Sequence, residues 1–291
     1  MRLADLLGGE IVSVDSMQVY RELDIGTAKP SSAEQRRVPH HLIDVADPAE
    51  TFSVAEFQRL GVAAIDEIAA KGAQPLVVGG SGLHFRALVD PLDFPPSDAT
   101  IRAEIEALEP AEAVLALLEC DPQAAAVVDL ANPRRVARAL EVFRLTGATP
   151  TARAHSPSAG AVRNYEPRLP LIAIGMDPAE KLPDRVEARF DRMLADGLLA
   201  EVDSLQGRLG ITAAQAVGYK ELLPVVAGRA TVEEGREAAI RATMALAKRQ
   251  RTFFRRDPRI RWIPWHDGAD QTVDVAVETT TKALEEMAWT S

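Results

Sequence analysis

Two groups of polar residues that could bind a ligand each follow a short apolar segment of the chain. Asp15 comes directly after residues 11–14, and Ser81 lies in the glycine-rich residues 79–82, which follow residues 75–78. If both apolar segments are strands of one parallel sheet, these groups meet at the edge where open α/β sheets bind ligands. The glycines would let the backbone approach a ligand closely, and Ser81 supplies a hydroxyl. The alternatives are an aspartate that caps the next turn and a simple tight glycine turn.

The order of the elements around these residues indicates an α/β fold. Residues 10–15 and 75–78 are predicted to be strands, and the second is apolar enough for a strand buried on both faces. Ser53 and Glu56 form a capping box that begins a helix ending near Lys71. Strands alternating with helices are typical of a parallel sheet covered by helices.

Residues 97–163 show helical signals only. We expect one helix capped by Ser97 or Asp98, a second that begins at Asp121, and a third from Pro133 to Thr146 that ends at Gly147. An apolar strand returns at residues 169–175, followed by helices, a short strand at 260–263 and a closing helix. The chain is therefore predicted to have an α/β core, residues 1–96 and 166–291, with an inserted all-helical domain, residues 97–165.

The charge of the chain is unevenly distributed. The formal net charge is −10, yet residues 131–170 hold seven arginines against two acidic residues, and residues 241–261 hold eight basic residues against one. Two basic patches on an acidic protein can bind a polyanion locally. They can equally be the solvated faces of two helices.

Composition excludes several classes of protein. The single cysteine, Cys120, rules out an internal disulfide and a zinc site built from cysteines. No apolar run approaches the length of about 18 residues that a membrane span needs. The first residues lack the pattern of a secretory signal. We therefore expect a cytoplasmic, monomeric protein without a membrane segment or a protein-built metal site, and the adjacent His40 and His41 are expected to be turn or surface residues.

Six segments along the chain resemble the successive signature blocks of the tRNA dimethylallyltransferases, in the order and spacing of that family. They cover nearly the whole chain and read VDSMQVYRELDIGTAKP, PHHLIDVADP, PLVVGGSGLHF, NPRRVARALEV, AVGYKEL and AKRQRTFFRRDP. The resemblance implies a core related to the P-loop folds. It also implies transfer of a dimethylallyl group from dimethylallyl diphosphate to the N6 amine of the adenosine that follows the tRNA anticodon.

The resemblance assigns roles to particular residues. Asp15 is the expected base, since an aromatic amine is a poor nucleophile that should lose a proton during attack. The Ser81 hydroxyl, which replaces the threonine usual in the family, is expected to hold the amine or the leaving diphosphate. The adenosine must leave its stack, and Asp15, Ser16, Met17, Gln18 and Ser81 would receive it, with Gln18 reading the adenine edge. The expected contacts to the anticodon stem-loop are Arg102, Arg134, Arg135, Val136, Ala137, Arg138, Ala216, Val217, Gly218, Tyr219 and Lys220.

Each of these contacts has a structural alternative. Arg134, Arg135 and Arg138 share roughly one helical face, which could be only solvated. Tyr219 could be an ordinary core aromatic residue. The family usually carries a basic residue where Met244 stands, and either Lys248 or Arg249 could compensate for the missing charge.

The sequence departs from the family in one larger respect. The family has a G-x-x-x-x-G-K-[ST] loop that cradles the diphosphate and helps to hold Mg²⁺, and no such string occurs in these 291 residues. We expect the first strand and this loop to be encoded upstream, or else lost with a truncated gene.

Three other functions remain open. A nucleotide kinase would share the fold but needs the phosphate-binding loop, and a truncated family member could bind tRNA with impaired catalysis. A related enzyme could prenylate free adenine nucleotides, although the tRNA-facing segments argue against it.

Overall fold

The computed structural model describes residues 1–177, 179–264 and 269–288. The chain forms two compact units. The first comprises Met1–Leu88 and Pro170–Ser291, and the second is Val89–Leu169. Residues 97–165, for which the sequence predicts helices only, lie within the second unit.

The five strands of the described residues form two parallel sheets. Their bounds are β1 (Gly9–Val14), β2 (His40–His41), β3 (Gln74–Gly79), β4 (Ala173–Asp177) and β5 (Ile260–Pro264). The first sheet has the order β2-β1-β3, and the second pairs β4 with β5. The predicted α/β class with a parallel sheet is confirmed.

Fourteen α-helices lie in the part of the chain that the structure describes, and none of these is long and apolar enough to cross a membrane. The first unit contains α1 (Arg2–Leu7), α2 (Ser32–Arg37), α3 (Val54–Ala70) and α4 (Gly82–Val89). The last residue of α4, Val89, already belongs to the second unit. The second unit contains α5 (Ala99–Glu106), α6 (Pro110–Cys120), α7 (Pro133–Thr146), α8 (Pro150–Ala154) and α9 (Pro157–Arg163). The first unit continues with α10 (Leu182–Ala195), α11 (Leu198–Ser204), α12 (Tyr219–Val226), α13 (Val232–Phe254) and α14 (Ala269–Ala288).

The expectation that the strand at residues 75–78 is buried on both faces was wrong. Val78 is 53% exposed, and both ends of β3 are exposed. Within the described residues β3 pairs with β1 alone, so it is an edge strand of its sheet. β1 is the strand that is buried almost throughout, because it lies between β2 and β3.

Local signals set most of the helix ends. Ser53 accepts a hydrogen bond from the Glu56 amide and begins α3, as predicted. The Glu56 carboxylate bonds to Arg59, so the second half of the predicted capping box is not formed. In the second unit Asp98 caps α5, and α7 runs from Pro133 to a left-handed Gly147, so both predictions are confirmed. These caps satisfy amides that the helix itself cannot pair.

The prediction of a helix that begins at Asp121 was wrong. Asp121 instead follows the last residue of α6, and only a short 3₁₀ turn comes after it. Its buried carboxylate accepts hydrogen bonds from the Gln123 amide and from the amide and hydroxyl of Thr151. The aspartate is therefore committed to joining two segments of the second unit, and this tertiary contact replaces its capping role.

A small apolar core supports the second unit. Leu117 of α6 and Leu140 of α7 are buried together with Ile105 of α5. The apolar residues of the three helices recur at helical spacing, which places them on one face of each helix. This core holds α7 and so fixes which of its arginines face solvent.

Candidate active site

A cavity of about 950 Å³ opens in the first unit where β1 and β3 end. It brings together the two groups of polar residues that the sequence places after these strands. Asp15, Ser16 and Met17 line it from the β1 side, and Gly80, Ser81 and Gly82 from the β3 side. Residues of α10 and α13 and the segment before α12 complete the walls.

The register of the sheet explains why Asp15 and Ser81 line the same cavity. Val14, the last residue of β1, pairs with Gly79, the last residue of β3. The Ser81 amide also donates a hydrogen bond of 3.2 Å to the Val14 carbonyl. Asp15 directly follows Val14, and Ser81 lies two residues after Gly79. Because the two strands are parallel, both side chains lie at the same edge of the sheet.

The Asp15 carboxylate is anchored through one of its oxygens. Oδ1 accepts hydrogen bonds from the amides of Met17 at 2.8 Å and Gln18 at 3.4 Å. The capping role that was the alternative for Asp15 is thus present, and it uses one oxygen only. Among the described residues Oδ2 has no hydrogen-bond partner, so it is the oxygen that can accept a proton from a substrate.

Two ionisable side chains lie within the field of Asp15. Burial lowers the pKa of His84, and the negative charge of Asp15 opposes this shift. Burial likewise lowers the pKa of Arg189 on α10, again against the charge of Asp15. Both shifts have the same cause, which is the loss of water around the charged form of the side chain. An anionic ligand would restore favourable interactions for the Arg189 guanidinium.

Helix α10 presents a row of arginines to the cavity. Arg185, Arg189 and Arg192 are spaced by four and three residues, so they share one helical face, and all three line the cavity. Arg249 of α13 joins them. Within the described ranges, Arg189, Arg192 and Arg249 have no ion-pair partner. The cavity therefore offers several guanidinium groups to an anion.

The glycine-rich segment has a packing role that the sequence did not show. A Cβ added at Gly80 would lie 2.5 Å from the Gln250 amide, and one at Gly82 would lie 2.3 Å from the Phe253 ring. Both neighbours belong to α13, and both line the cavity. The glycines let this helix approach the end of β3, whereas we had expected them to admit a ligand.

Gln18 was expected to contact the adenine edge, but its side chain bonds to other groups of the protein. Its Oε1 accepts the Ser13 hydroxyl at 2.8 Å, and its Nε2 donates to the carbonyls of Thr27 at 3.1 Å and Ala28 at 3.4 Å. Gln18 is also absent from the cavity lining, whereas its neighbour Met17 is part of it. Its amide fastens the loop that follows β1.

Tyr219 is fully buried, so its side chain has the core position that was the alternative to a tRNA contact. Its hydroxyl donates to Glu201 of α11, which also accepts the amides of Asp24, Ile25 and Gly26 at 2.8–3.2 Å. Burial and the bond to Glu201 raise the pKa of Tyr219. Glu201 therefore fixes residues 24–26, and Gly26 lines the cavity.

The other members of the segment before α12 have separate positions. Ala216 is buried and, with Val217, lines the cavity, while Gly218 caps α12 through Glu221. Lys220 is exposed and donates to Gln215. Lys220 is therefore the residue of this segment that presents a cation at the surface.

In the second unit, two of the arginines expected to bind tRNA are engaged with a buried carboxylate. Arg102 and Arg138 each donate to Glu141 Oε2 at 2.7 Å, and the Glu141 side chain is fully buried. Ser97 and the Asp98 amide donate to its other oxygen. Burial alone would raise the pKa of Glu141, but the hydrogen bonds from Arg102, Arg138 and Ser97 lower it to about 2.

The remaining residues of the 134–138 segment divide by exposure. Val136 and Ala137 are buried in the core of the second unit. Arg134 and Arg135 are exposed, and in the described ranges their side chains have neither an ion pair nor a hydrogen bond. Arg138 differs from both because it also donates to the carbonyls of Pro95 and Pro96.

Sequence reasoning missed several residues of the cavity. The spacing of Arg185, Arg189 and Arg192 is visible in the sequence as a basic stripe on one helical face, and it could have been found there. Arg249, one of two candidates to replace the charge absent at Met244, lines the cavity, whereas Lys248 does not. His84 lies within the segment PLVVGGSGLHF and Glu201 has no signal in the sequence, and both stand behind the residues that line the cavity.

His40 and His41, expected to be turn or surface residues, instead form strand β2 and are half-buried. His41 Nε2 is 2.6 Å from Glu10 Oε2, and His40 Nδ1 is 2.7 Å from the Val38 carbonyl oxygen. In the described part of the chain no three His, Cys, Asp or Glu side chains come together in a way that could hold a metal ion.

Comparison with known proteins identifies one group of relatives. The family model described as IPP transferase matches residues 18–257. The chain is 46% identical over 269 residues to a tRNA dimethylallyltransferase of Salinispora arenicola, covering 90% of this chain and 76% of that protein. A second, from Salinispora tropica, is 47% identical over 90% of this chain and 82% of its own length.

Solved structures give the same result. The full-length tRNA isopentenylpyrophosphate transferase of Bacillus halodurans superimposes with a TM-score of 0.69 at 38% identity, over 99% of this chain and 92% of that one. A eukaryotic dimethylallyltransferase, captured acting on tRNA, superimposes with a TM-score of 0.73 at 26% identity, over 94% and 73% of the two chains.

Proposed function

Because the chain belongs to the IPP transferase family, we propose that it transfers a dimethylallyl group to tRNA. The acceptor is the N6 amine of the adenosine that follows the anticodon, and the donor is dimethylallyl diphosphate. The observation that carries this proposal is the cavity in which Asp15, Ser81 and the arginines of α10 meet. The relatives are named for the transferase activity, which favours it over the alternative of an impaired tRNA-binding protein.

Asp15 is the general base in this reaction. As the N6 lone pair bonds to C1 of the dimethylallyl group, the C1–O bond breaks and its electrons leave with the diphosphate. Asp15 Oδ2 takes one N6 proton, so the nitrogen becomes neutral again. The Met17 and Gln18 amides hold Oδ1 and thereby orient the carboxylate.

The walls of the cavity suit the two parts of the donor. Leu83, Leu246 and Phe253 provide apolar surface for the dimethylallyl group. Arg189 and Arg249 provide positive charge for the diphosphate, because guanidinium groups bind phosphate oxygens in pairs. Bringing these groups into one water-poor cavity would strengthen each charge interaction.

We assign Mg²⁺ to the diphosphate of the donor, and we name no residue of the chain as its ligand. This ion usually keeps several waters and binds through substrate phosphates with one or two carboxylates. It would neutralise charge that develops on the leaving diphosphate. The described residues offer it no cage of their own, so every step above rests on side chains of the chain.

The tRNA is held through its backbone by exposed cations. Arg134 and Arg135 contact phosphates, since their side chains have no competing partner among the described residues. Lys220 adds a further phosphate contact from the first unit. Gln18 and Tyr219 act indirectly, because the first fastens the loop after β1 and the second fixes residues 24–26 through Glu201.

Transfer of labelled dimethylallyl groups to an anticodon stem-loop RNA tests the proposal. We expect transfer to the RNA and none to AMP, which separates this reaction from the prenylation of free nucleotides. The Asp15→Asn variant should bind the RNA normally and lose about 10²–10⁴-fold in rate, the scale of a general base.

The matched control is Asp66→Asn, which changes an exposed carboxylate of α3. It should keep the original rate. An Asp15→Asn variant that stays within threefold of the original rate would remove Asp15 from the reaction, and transfer to AMP alone would contradict the acceptor.

A further inference from the structure

His84 lies next to the reactive groups, in the segment PLVVGGSGLHF, where the sequence assigns no role to it. It is in the first turn of α4, three residues after Ser81, and its Nδ1 is 2.7 Å from the Ser81 Oγ. Its ring meets Phe57 edge to face, with the ring centres 4.6 Å apart. Phe57 is fully buried. The imidazole is thus held by packing on one side and by a hydrogen bond on the other.

The hydrogen bond between His84 and Ser81 can have either of two polarities. If Nδ1 is unprotonated, the Ser81 hydroxyl donates to it, and the lone pairs of Oγ remain available to the cavity. If Nδ1 carries a proton, it donates to Oγ, and the Ser81 hydroxyl proton is free to point toward the cavity. The first polarity makes Ser81 an acceptor toward the substrate, and the second makes it a donor.

We propose that His84 is a positioning residue that accepts the Ser81 hydroxyl proton at Nδ1 and so turns Ser81 Oγ into an acceptor for the substrate amine. This inference rests on the proposed function. The exocyclic amine carries two N–H groups. Asp15 Oδ2 takes the proton of one, and Ser81 Oγ accepts a hydrogen bond from the other. Two acceptors held at one edge of the sheet fix the rotation of the amine about its bond to the ring.

The surroundings of His84 favour the unprotonated imidazole. Burial lowers the pKa of His84, although Asp15 opposes the shift. A neutral ring has one bare nitrogen, and the Ser81 hydroxyl is the partner beside Nδ1. In this arrangement the ring proton is on Nε2, and the diphosphate is left to the arginines rather than to Ser81.

Nitrogen NMR on protein with labelled histidine rings tests the polarity without any reaction. At neutral pH we expect the His84 signals of the Nε2–H tautomer, identified by their loss in His84→Phe. The Ser81→Ala variant should shift the Nδ1 resonance. A spectrum of the Nδ1–H tautomer, or of a doubly protonated ring, would overturn the proposal whether or not the protein transfers dimethylallyl groups.

A double-mutant cycle tests the consequence for the reaction. The variants are Ser81→Ala, His84→Phe and the two combined, and the phenylalanine keeps an aromatic ring against Phe57. We expect His84→Phe to lower the single-turnover rate roughly tenfold, the scale of one hydrogen bond. The same change in the Ser81→Ala background should have an effect of less than about twofold, since residues that act through one contact are not additive.

Two measurements separate positioning from simple loss of structure. His84→Asn, whose side-chain oxygen can occupy the place of Nδ1, should recover part of the rate. RNA affinity and melting temperature should match the original protein in His84→Phe and His84→Asn. Rate losses that multiply fully in the double variant would refute the proposal for His84. If the unaltered protein transferred no dimethylallyl group, that result would instead contradict the proposed function.

Discussion

Replacing Arg134 and Arg135 together by alanine tests whether α7 binds the tRNA backbone. Both side chains are exposed and have no partner among the described residues. Their removal therefore breaks no contact within the second unit. A substitution of this kind usually changes the free energy of unfolding by less than about 0.5 kcal/mol. Any change in RNA affinity can then be attributed to the lost contacts with the RNA.

The expected magnitude follows from counterion release. Each phosphate contact adds about 0.7–0.9 to the steepness of the slope with which log affinity falls against log salt concentration. Two lost contacts should therefore reduce the slope by about 1.4–1.8. The loss should be the same for anticodon stem-loops of different sequence, because phosphate contacts carry no sequence information.

Arg138→Ala should behave differently, although it lies on the same helix. Its side chain bonds to Glu141 and to the Pro95 and Pro96 carbonyls. Removing it leaves buried acceptors with fewer donors, at a cost of about 1–3 kcal/mol in unfolding free energy. We expect a lower melting temperature with a smaller change in salt slope. Arg144→Ala, which loses only a pair with the exposed Glu104, is the control on this helix.

The assay is fluorescence anisotropy of a labelled anticodon stem-loop at several salt concentrations, together with thermal unfolding of each variant. If the Arg134, Arg135 double variant keeps the original slope, α7 has only a solvated basic face. The assignment of the second unit to tRNA binding would then be wrong.

Two further predictions concern carboxylates that accept several hydrogen bonds. Because the folded pKa of Glu141 is lowered to about 2 from an ordinary value of 4.5, its contribution is fully present above pH 4.5 and is lost as the pH falls toward 2. We expect urea unfolding to show a loss of about 3 kcal/mol in the free energy of unfolding over this window. Glu141→Gln should flatten that dependence, and equal curves would contradict the linkage. Glu201→Gln places an N–H donor where the carboxylate accepts hydrogen bonds from the amides of residues 24–26. We expect this variant to slow dimethylallyl transfer more than it weakens RNA binding. Equal losses in both would argue against a role of Glu201 in fixing that loop.

Local patterns were enough to predict much of the fold from the sequence. The strand before Asp15 and the helix from Pro133 to Thr146 were found because apolar spacing and capping residues act within a few positions of the chain. The same locality let the motifs around Asp15 and Ser81 indicate a ligand site at one sheet edge. Asp121 was misread because its carboxylate bonds across 30 positions to Thr151.

The tertiary structure alone decided what each polar side chain does. Helical spacing places Arg134, Arg135 and Arg138 near one another, but only packing shows that the third bonds to buried Glu141 and the first two face solvent. Gln18 was expected in the pocket, yet its amide bonds to the carbonyls of Thr27 and Ala28. A residue's type gives the hydrogen bonds that it can make, while the choice among partners depends on segments distant in the chain that folding brings within reach.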